Sequence, residues 1–341
     1  MVFTAHGIIK GAILSLFVCL IVYLGLRSFG IVGTEPKDPT DPAVLAETAR
    51  NALDAVRRRQ PADRRPASYD SVMRPLDQLL RQMRNLLASD SYNPELDLPK
   101  IRFMASLVID ITAQADRLAK TETGPLAKSY RFNDQKSEAC QYLASAMWEQ
   151  LSANAARQTG QFDQGHSYNR YEMDELMRIL NVGIEAAPEN RELLYIRGVV
   201  NRAEGLFAPA ARDLERVIDI DPEYAAAWNT LGLVRISLRE FDSAEEALER
   251  ARTLALDGDK LRNHEPGAEY IATIYNLAMF HENLAAYYNR ENRISPSVES
   301  RRLLAKHGGD ARKYLEEFLQ HEPADSPDAR NARSRLNSLP K

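Results

Sequence analysis

Residues 191–224, RELLYIRGVVNRAEGLFAPAARDLERVIDIDPEY, are followed by residues 225–258, AAAWNTLGLVRISLREFDSAEEALERARTLALDG, and the two segments share one pattern at an offset of 34 residues. Leu194, Gly198, Ala210, Leu214, Val217 and Pro222 recur as Trp228, Gly232, Ala244, Leu248, Ala251 and Leu256. Each position has a physical reason. A large apolar residue opens a first helix, and a small residue four positions later lets a second helix approach closely. A small residue then begins the second helix, two apolar residues follow on its inner face, and proline ends it where the backbone N–H is no longer needed. A period of this length predicts helical hairpins that stack on copies of themselves.

The register resembles that of the tetratricopeptide repeat family, closely over 191–257 and more loosely on both sides. The resemblance implies an all-α solenoid of about four helix pairs with inserted loops. It also implies a concave groove, lined by the opening helices, that binds a protein or peptide and carries no reaction. Carried onto this chain, the groove positions are Glu149, Gln150 and Ala153, then Tyr195, Ile196 and Val199, then Asn229, Thr230 and Leu233, and last Tyr275, Asn276 and Met279. Tyr195, Val199, Asn229, Leu233, Tyr275, Asn276 and Met279 are the candidate contacts, with Tyr195, Asn229 and Tyr275 foremost. Asn side chains suit a peptide backbone, and the apolar members suit an apolar side chain. The Lys, Arg and Asn set with which one subfamily holds a C-terminal carboxylate is missing, although Arg157 and Arg202 lie close by.

The repeat array, placed at 136–341, extends beyond its two clear copies. Trp148, Leu151, Ser152 and Ala155 match an opening helix, and Leu176, Leu180, Gly183 and Pro188 match a closing one. Between them Gln158–Tyr171 reads as an inserted turn. Its Phe162, Tyr168, Arg170 and Tyr171 form a secondary candidate surface, because long loops on rigid scaffolds carry function. Ile274, Leu277 and Ala278 open a further unit that Ala311, Leu315, Phe318 and Pro323 close. Extra residues precede it, at Asp257–Tyr270, and interrupt it around Ser295-Pro296-Ser297 and Gly308-Gly309; insertions of this kind are expected as loops. A helix from Pro327 to about Leu336 is expected to cap the open apolar end.

Upstream, residues 43–125 read as a helical membrane-proximal region. Asp41-Pro42 supplies an N-cap and a first-turn proline. Val44, Leu45, Ala49, Ala52, Leu53 and Val56 share one face. Leucine-rich stripes follow Ser68 or Pro75 and then Pro99, and apolar faces of this kind have to be buried against other helices. The run Arg57-Arg58-Arg59-Gln60-Pro61-Ala62-Asp63-Arg64-Arg65 reads as a helix end favoured by the helix dipole, running into a turn.

Residues 1–7 form a short tail, 8–28 an apolar stretch and 29–42 a Gly- and Pro-containing linker. From Ile8 to Leu26 only Lys10 and Ser15 break the apolar run. As a helix rising about 1.5 Å per residue it would span roughly 28 Å, close to the hydrocarbon thickness of a bilayer. No Ala-x-Ala site follows, so a retained single-pass anchor is expected in preference to a cleaved leader. The expected location is a bacterial inner membrane with the soluble part on the periplasmic side, and lipid contacts through the N-terminal helix.

The rest of the composition is that of an ordinary protein surface. Of 341 residues 27% are charged and the net charge is −4, which speaks against a nucleic-acid partner. Ala, Leu, Glu, Arg and Gln dominate, a helical composition. The chain has no Gly-rich phosphate loop. Its six histidines are His6, His166, His264, His281, His307 and His321, and three precede glutamate, at His264-Glu265, His281-Glu282 and His321-Glu322. None reaches a second histidine at the spacing of a helical zinc motif, so surface His–Glu neighbours are expected, with no metal, no cofactor and no catalytic residue. The expected function is a membrane-anchored scaffold or adaptor in the assembly of an envelope complex. The alternative is a fixed subunit of a larger membrane complex in which the repeats act as a spacer.

Overall fold

A computed structural model of the chain describes residues 38–59, 66–120, 132–159, 168–261 and 267–339. The expected anchor at 8–28, the arginines at 64 and 65, Phe162, His6, His166 and His264 lie outside the described residues. Every regular element among the described residues is an α-helix. In chain order these are α1 (Pro42–Arg58), α2 (Pro66–Leu87), α3 (Pro94–Lys120), α4 (Phe132–Thr159), α5 (Arg170–Ala186) and α6 (Arg191–Ala203). Then come α7 (Phe207–Ile220), α8 (Ala225–Ser237), α9 (Phe241–Leu261), α10 (Ala268–Ile294), α11 (Val298–His321) and α12 (Pro327–Ser338). None of them is long and apolar enough to cross a membrane.

The chain divides into two compact units, residues 1–79 and 80–341. In the first, Asp41 caps α1 by accepting from the Ala43 N–H at 2.7 Å, and Pro42 stands in the first turn, as expected. Leu45, Ala46, Ala49, Leu53 and Val56 are buried along one stripe of α1. In α2 the buried stripe is Tyr69, Val72, Leu76 and Leu79. That helix begins before Pro75 and runs through it.

The second unit is a stack of hairpins. The pairs α4/α5, α6/α7, α8/α9 and α10/α11 each pack together, and every second helix also touches the first helix of the next pair. First helices touch each other in turn, α4 with α6, α6 with α8 and α8 with α10. That arrangement sets the first helices on the inner side of the array, the layout that the family resemblance implies. Helix α12 packs on α11 and closes the stack, joined to α10 by an Arg335–Glu282 ion pair at 3.0 Å. Helix α3 packs along α4, and Arg102 bonds Glu175 of α5 at 3.0 Å. Residues 80–120 fall in the same compact unit as the repeats.

The repeat is written in the backbone as well as in the side chains. Helix α6 ends in a turn where the Leu206 N–H reaches the Asn201 carbonyl at 2.8 Å, with Gly205 at φ 73°. Helix α8 ends identically: the Glu240 N–H reaches the Arg235 carbonyl at 2.9 Å, with Arg239 at φ 65°. This turn calls for a left-handed residue, which costs a side-chain-bearing amino acid about 1–2 kcal/mol. Replacing Arg239 by glycine is therefore expected to stabilise the protein by about 0.5–1 kcal/mol, once the greater freedom of glycine in the unfolded chain is subtracted. The urea midpoint of the variant checks it, and a lower midpoint would contradict the assignment.

Where described, the residues expected as loops in the last unit are largely helix instead, while 160–167 and 262–266 lie outside the described residues. Helix α7 stops at Ile220, just before Pro222, but Leu256 stands at the equivalent place in α9, which runs on to Leu261. The extra residues of the last unit lengthen both of its helices: α10 and α11 have 27 and 24 residues, where α8 has 13 and α7 has 14. Gly308-Gly309 lies inside α11. Ser295-Pro296-Ser297 is non-helical, with Ser297 capping α11 through a reciprocal bond with Ser300. Helix satisfies the backbone groups of the added residues within the chain itself.

Candidate functional site

The candidate contacts lie on α6, α8 and α10, three of the four first helices that form the inner face. Tyr195 and Asn229 occupy equivalent positions of the first two, and Val199 and Leu233 do the same one turn later. The structure divides the expected contacts into two groups. Val199, Leu233 and Met279 are half-buried apolar side chains, one on each first helix. The remainder are largely engaged within the protein.

Asn229 is 8% exposed, and both ends of its amide are used: Nδ2 donates to Glu269 Oε1 at 3.0 Å, and Oδ1 accepts from Asn276 Nδ2 at 2.9 Å. A side chain so held locks α8 to α10, and is not free to grip a peptide as expected. Asn276 is different, because its carbonyl oxygen has no partner among the described residues. Tyr195 packs on Tyr224 with ring centroids 5.2 Å apart, and burial raises its hydroxyl pKa. Tyr224 in turn donates to Glu192 at 2.8 Å. Tyr275 lies against Phe318 with centroids 5.0 Å apart, packed on the core of its own hairpin. Of the three foremost candidates, then, Asn229 has both polar ends engaged, and the two tyrosines hold their rings against neighbours.

Glu269 was not among the expected groove residues. It stands two turns before Asn276 on the same stripe of α10, a signal readable in principle from the spacing of seven. Burial raises its carboxyl pKa, partly offset by bonds from Asn229 and Thr273. A carboxyl whose pKa is raised on folding favours the folded state below the unfolded value, and that contribution is lost as pH rises through the folded value. Glu269→Gln keeps the acceptor for Asn229 and removes the charge. Its stability relative to the parent is expected to increase as pH rises above the ordinary carboxylate range and to level off above the folded-state value, as read by urea midpoints at several pH values; a pH-independent difference would count against the burial argument.

On the secondary surface, Tyr168 folds back on Trp148 of α4 with centroids 5.7 Å apart. Arg170 and Tyr171 stay out at the start of α5, Tyr171 being 71% exposed and Arg170 lying 3.6 Å from Asp174. Asn169 caps this helix end by accepting from the Tyr171 N–H.

The histidines depart from expectation. His281, expected as a surface His–Glu neighbour, is 1% exposed, and His307 is 5% exposed. His281 falls on the core stripe of α10 with Ile274, Leu277, Ala278, Leu284 and Ala285. A sequence distance of 26 hides the pair, because only the hairpin brings α10 against α11.

No family model matches the chain. Over 81 residues it is 32% identical to the heat-shock protein cognate co-chaperone sgt12 of Aspergillus fumigatus, a match that spans 24% of this chain and 24% of that protein. Solved structures with some likeness include MamA, at 18% identity and a TM-score of 0.35 over 62% of this chain and 92% of that one. The APC/C hetero-tetramer Cut9–Hcn1 gives 14% identity and 0.35 over 88% and 54%. The C-terminal part of a TPR repeat-containing protein from Cytophaga hutchinsonii gives 11% and 0.33 over 84% and 98%. Likenesses this loose carry no functional inference, and the hairpin architecture stands on the chain's own register and packing.

Proposed function

We propose that this protein is a membrane-anchored interaction scaffold whose inner groove holds a segment of a protein partner. The observation that carries the reading is the row of Val199, Leu233 and Met279, half-open on three neighbouring first helices beside the unpaired carbonyl of Asn276. Such a row accepts an apolar side chain, and the carbonyl accepts one backbone N–H of the same segment. The short local likeness to a co-chaperone agrees with a protein partner. Anchoring rests on the apolar run from Ile8 to Leu26, with the soluble part in the periplasm of a bacterial envelope.

A photoreactive amino acid placed at Leu233 tests the groove. It is expected to crosslink a discrete protein partner in membranes, whereas the same probe at Arg212 on α7 is not. Equal crosslinking from both positions removes the groove assignment. Protease added to spheroplasts tests the orientation, since digestion beyond Gly33 is expected only for a periplasmic domain.

One observation favours a second reading, in which the array is a fixed subunit of a larger complex. The far end of the α10/α11 hairpin exposes Tyr287, Ile294 and Val298 at 54%, 76% and 78%. Under that reading the chain never migrates alone in size exclusion of a detergent extract.

A further inference from the structure

His281 on α10 meets His307 and Asp310 on α11. The two Nδ1 atoms are 2.9 Å apart, and His281 Nδ1 lies 3.9 Å from Asp310 Oδ2. The three ligand-type atoms all fall within 4.8 Å of one another. His307 and Asp310 are three residues apart and so project from one helix face. Both rings are clamped. Tyr314 stacks on His281 at 5.6 Å and 13°, and Tyr288 stacks on His307 at 5.6 Å and 7°.

A hydrogen bond between two imidazoles accounts for the shortest distance alone. The flanking carboxylates point further. Around a tetrahedral zinc ion with Zn–N about 2.0–2.1 Å, neighbouring ligand atoms stand roughly 3.3 Å apart, and the observed 2.9 and 3.9 Å bracket that separation. Beyond the other nitrogen of His281, Glu245 Oε1 lies 3.9 Å from Nε2. A carboxylate there orients an imidazole ligand and favours the Nε2–H tautomer, leaving Nδ1 to bind. Lys306 sits 3.4 Å from Glu245 and offsets its charge.

We propose that His281, His307 and Asp310 bind a divalent first-row transition ion of the zinc type, which pins α10 to α11 within the long hairpin. Asp310, one-third exposed, marks the path of entry and the side on which water completes the coordination. Binding two neutral imidazoles requires only that the proton between the rings pass to a ring's Nε2, with none released. The chemistry selects imidazole-preferring ions over magnesium or calcium, which take oxygen ligands.

The test uses the full chain, purified without a histidine tag and stripped with a chelator. Zinc titration is expected to show one saturable site that Asp310→Asn and His307→Gln each weaken at least tenfold, and cobalt is expected to give the absorption of a tetrahedral site. At zinc a hundredfold above its Kd, Tm is expected to rise by roughly 5–10 °C. Asp310→Asn alone decides the matter should His307→Gln fail to fold, because Asp310 lies at the surface edge. No saturable zinc binding below about 100 µM, or affinity unchanged in Asp310→Asn, overturns the site.

Discussion

Replacing Gly183 by alanine is expected to lower stability by about 1–3 kcal/mol, although alanine is the better helix former by about 1 kcal/mol. A Cβ at this position would stand 2.7 Å from Cys140 Cβ and 2.6 Å from Leu193 Cδ1. The Leu193 methyl can rotate away. The Cys140 Cβ cannot, since it is fixed to the backbone of α4, so α4 and α5 would have to separate. Cys140 is fully buried, and burial pushes its thiol pKa up to about 12, which leaves it an inert packing residue. The urea midpoint of Gly183→Ala reads the effect. Cys140→Ala in the same chain is expected not to rescue it, because the offending atom remains. Full recovery by Cys140→Ala, or no loss in Gly183→Ala, would show that α4 and α5 are not in this contact.

The second large effect is expected at Asp213. Its carboxylate is 8% exposed and accepts from Arg197 Nε at 2.9 Å, Arg197 Nη2 at 2.7 Å and Asn201 Nδ2 at 3.2 Å. Arg197 also reaches Asn181 of α5 at 2.9 Å, so one guanidinium joins two hairpins. Asp213→Ala leaves that largely covered cation without its fork partner and is expected to cost about 2–4 kcal/mol. Desolvation of the surviving charge, more than loss of attraction, sets the size. The double change Arg197→Met with Asp213→Leu is accordingly expected to recover most of the loss, since an apolar pair of similar volume carries no such penalty. Midpoints for the two singles and the double close the cycle. A double variant as unstable as Asp213→Ala would mean that the pair itself, and not the orphaned charge, carries the stability.

Asp213 also shows where reading the chain alone stops. It sits between Arg212 and Leu214 on a helix whose apolar stripe was readable, but nothing in the spacing tells that its carboxylate turns inward to meet Arg197. The same holds for the groove. The register placed Tyr195, Asn229 and Tyr275 on the inner helices, where they are found. It did not tell that Asn229 would be used up between Glu269 and Asn276, nor that Tyr275 would pack on Phe318. Which polar ends remain free depends on neighbours 40 and 47 residues away.

Local rules were enough for the hairpins themselves. The offset between the two copies and their small residues at Gly198 and Gly232 follow from helix geometry and close approach, which act over a few residues and leave a periodic trace. The lengths of the last hairpin did not follow, because a helical insertion and a loop insertion look alike until packing decides which face is buried. The meeting of His281, His307 and Asp310 belongs to the tertiary structure alone. Two residues on separate helices become ligand neighbours only when the hairpin closes, and hairpin closure sets distances that no sequence spacing encodes.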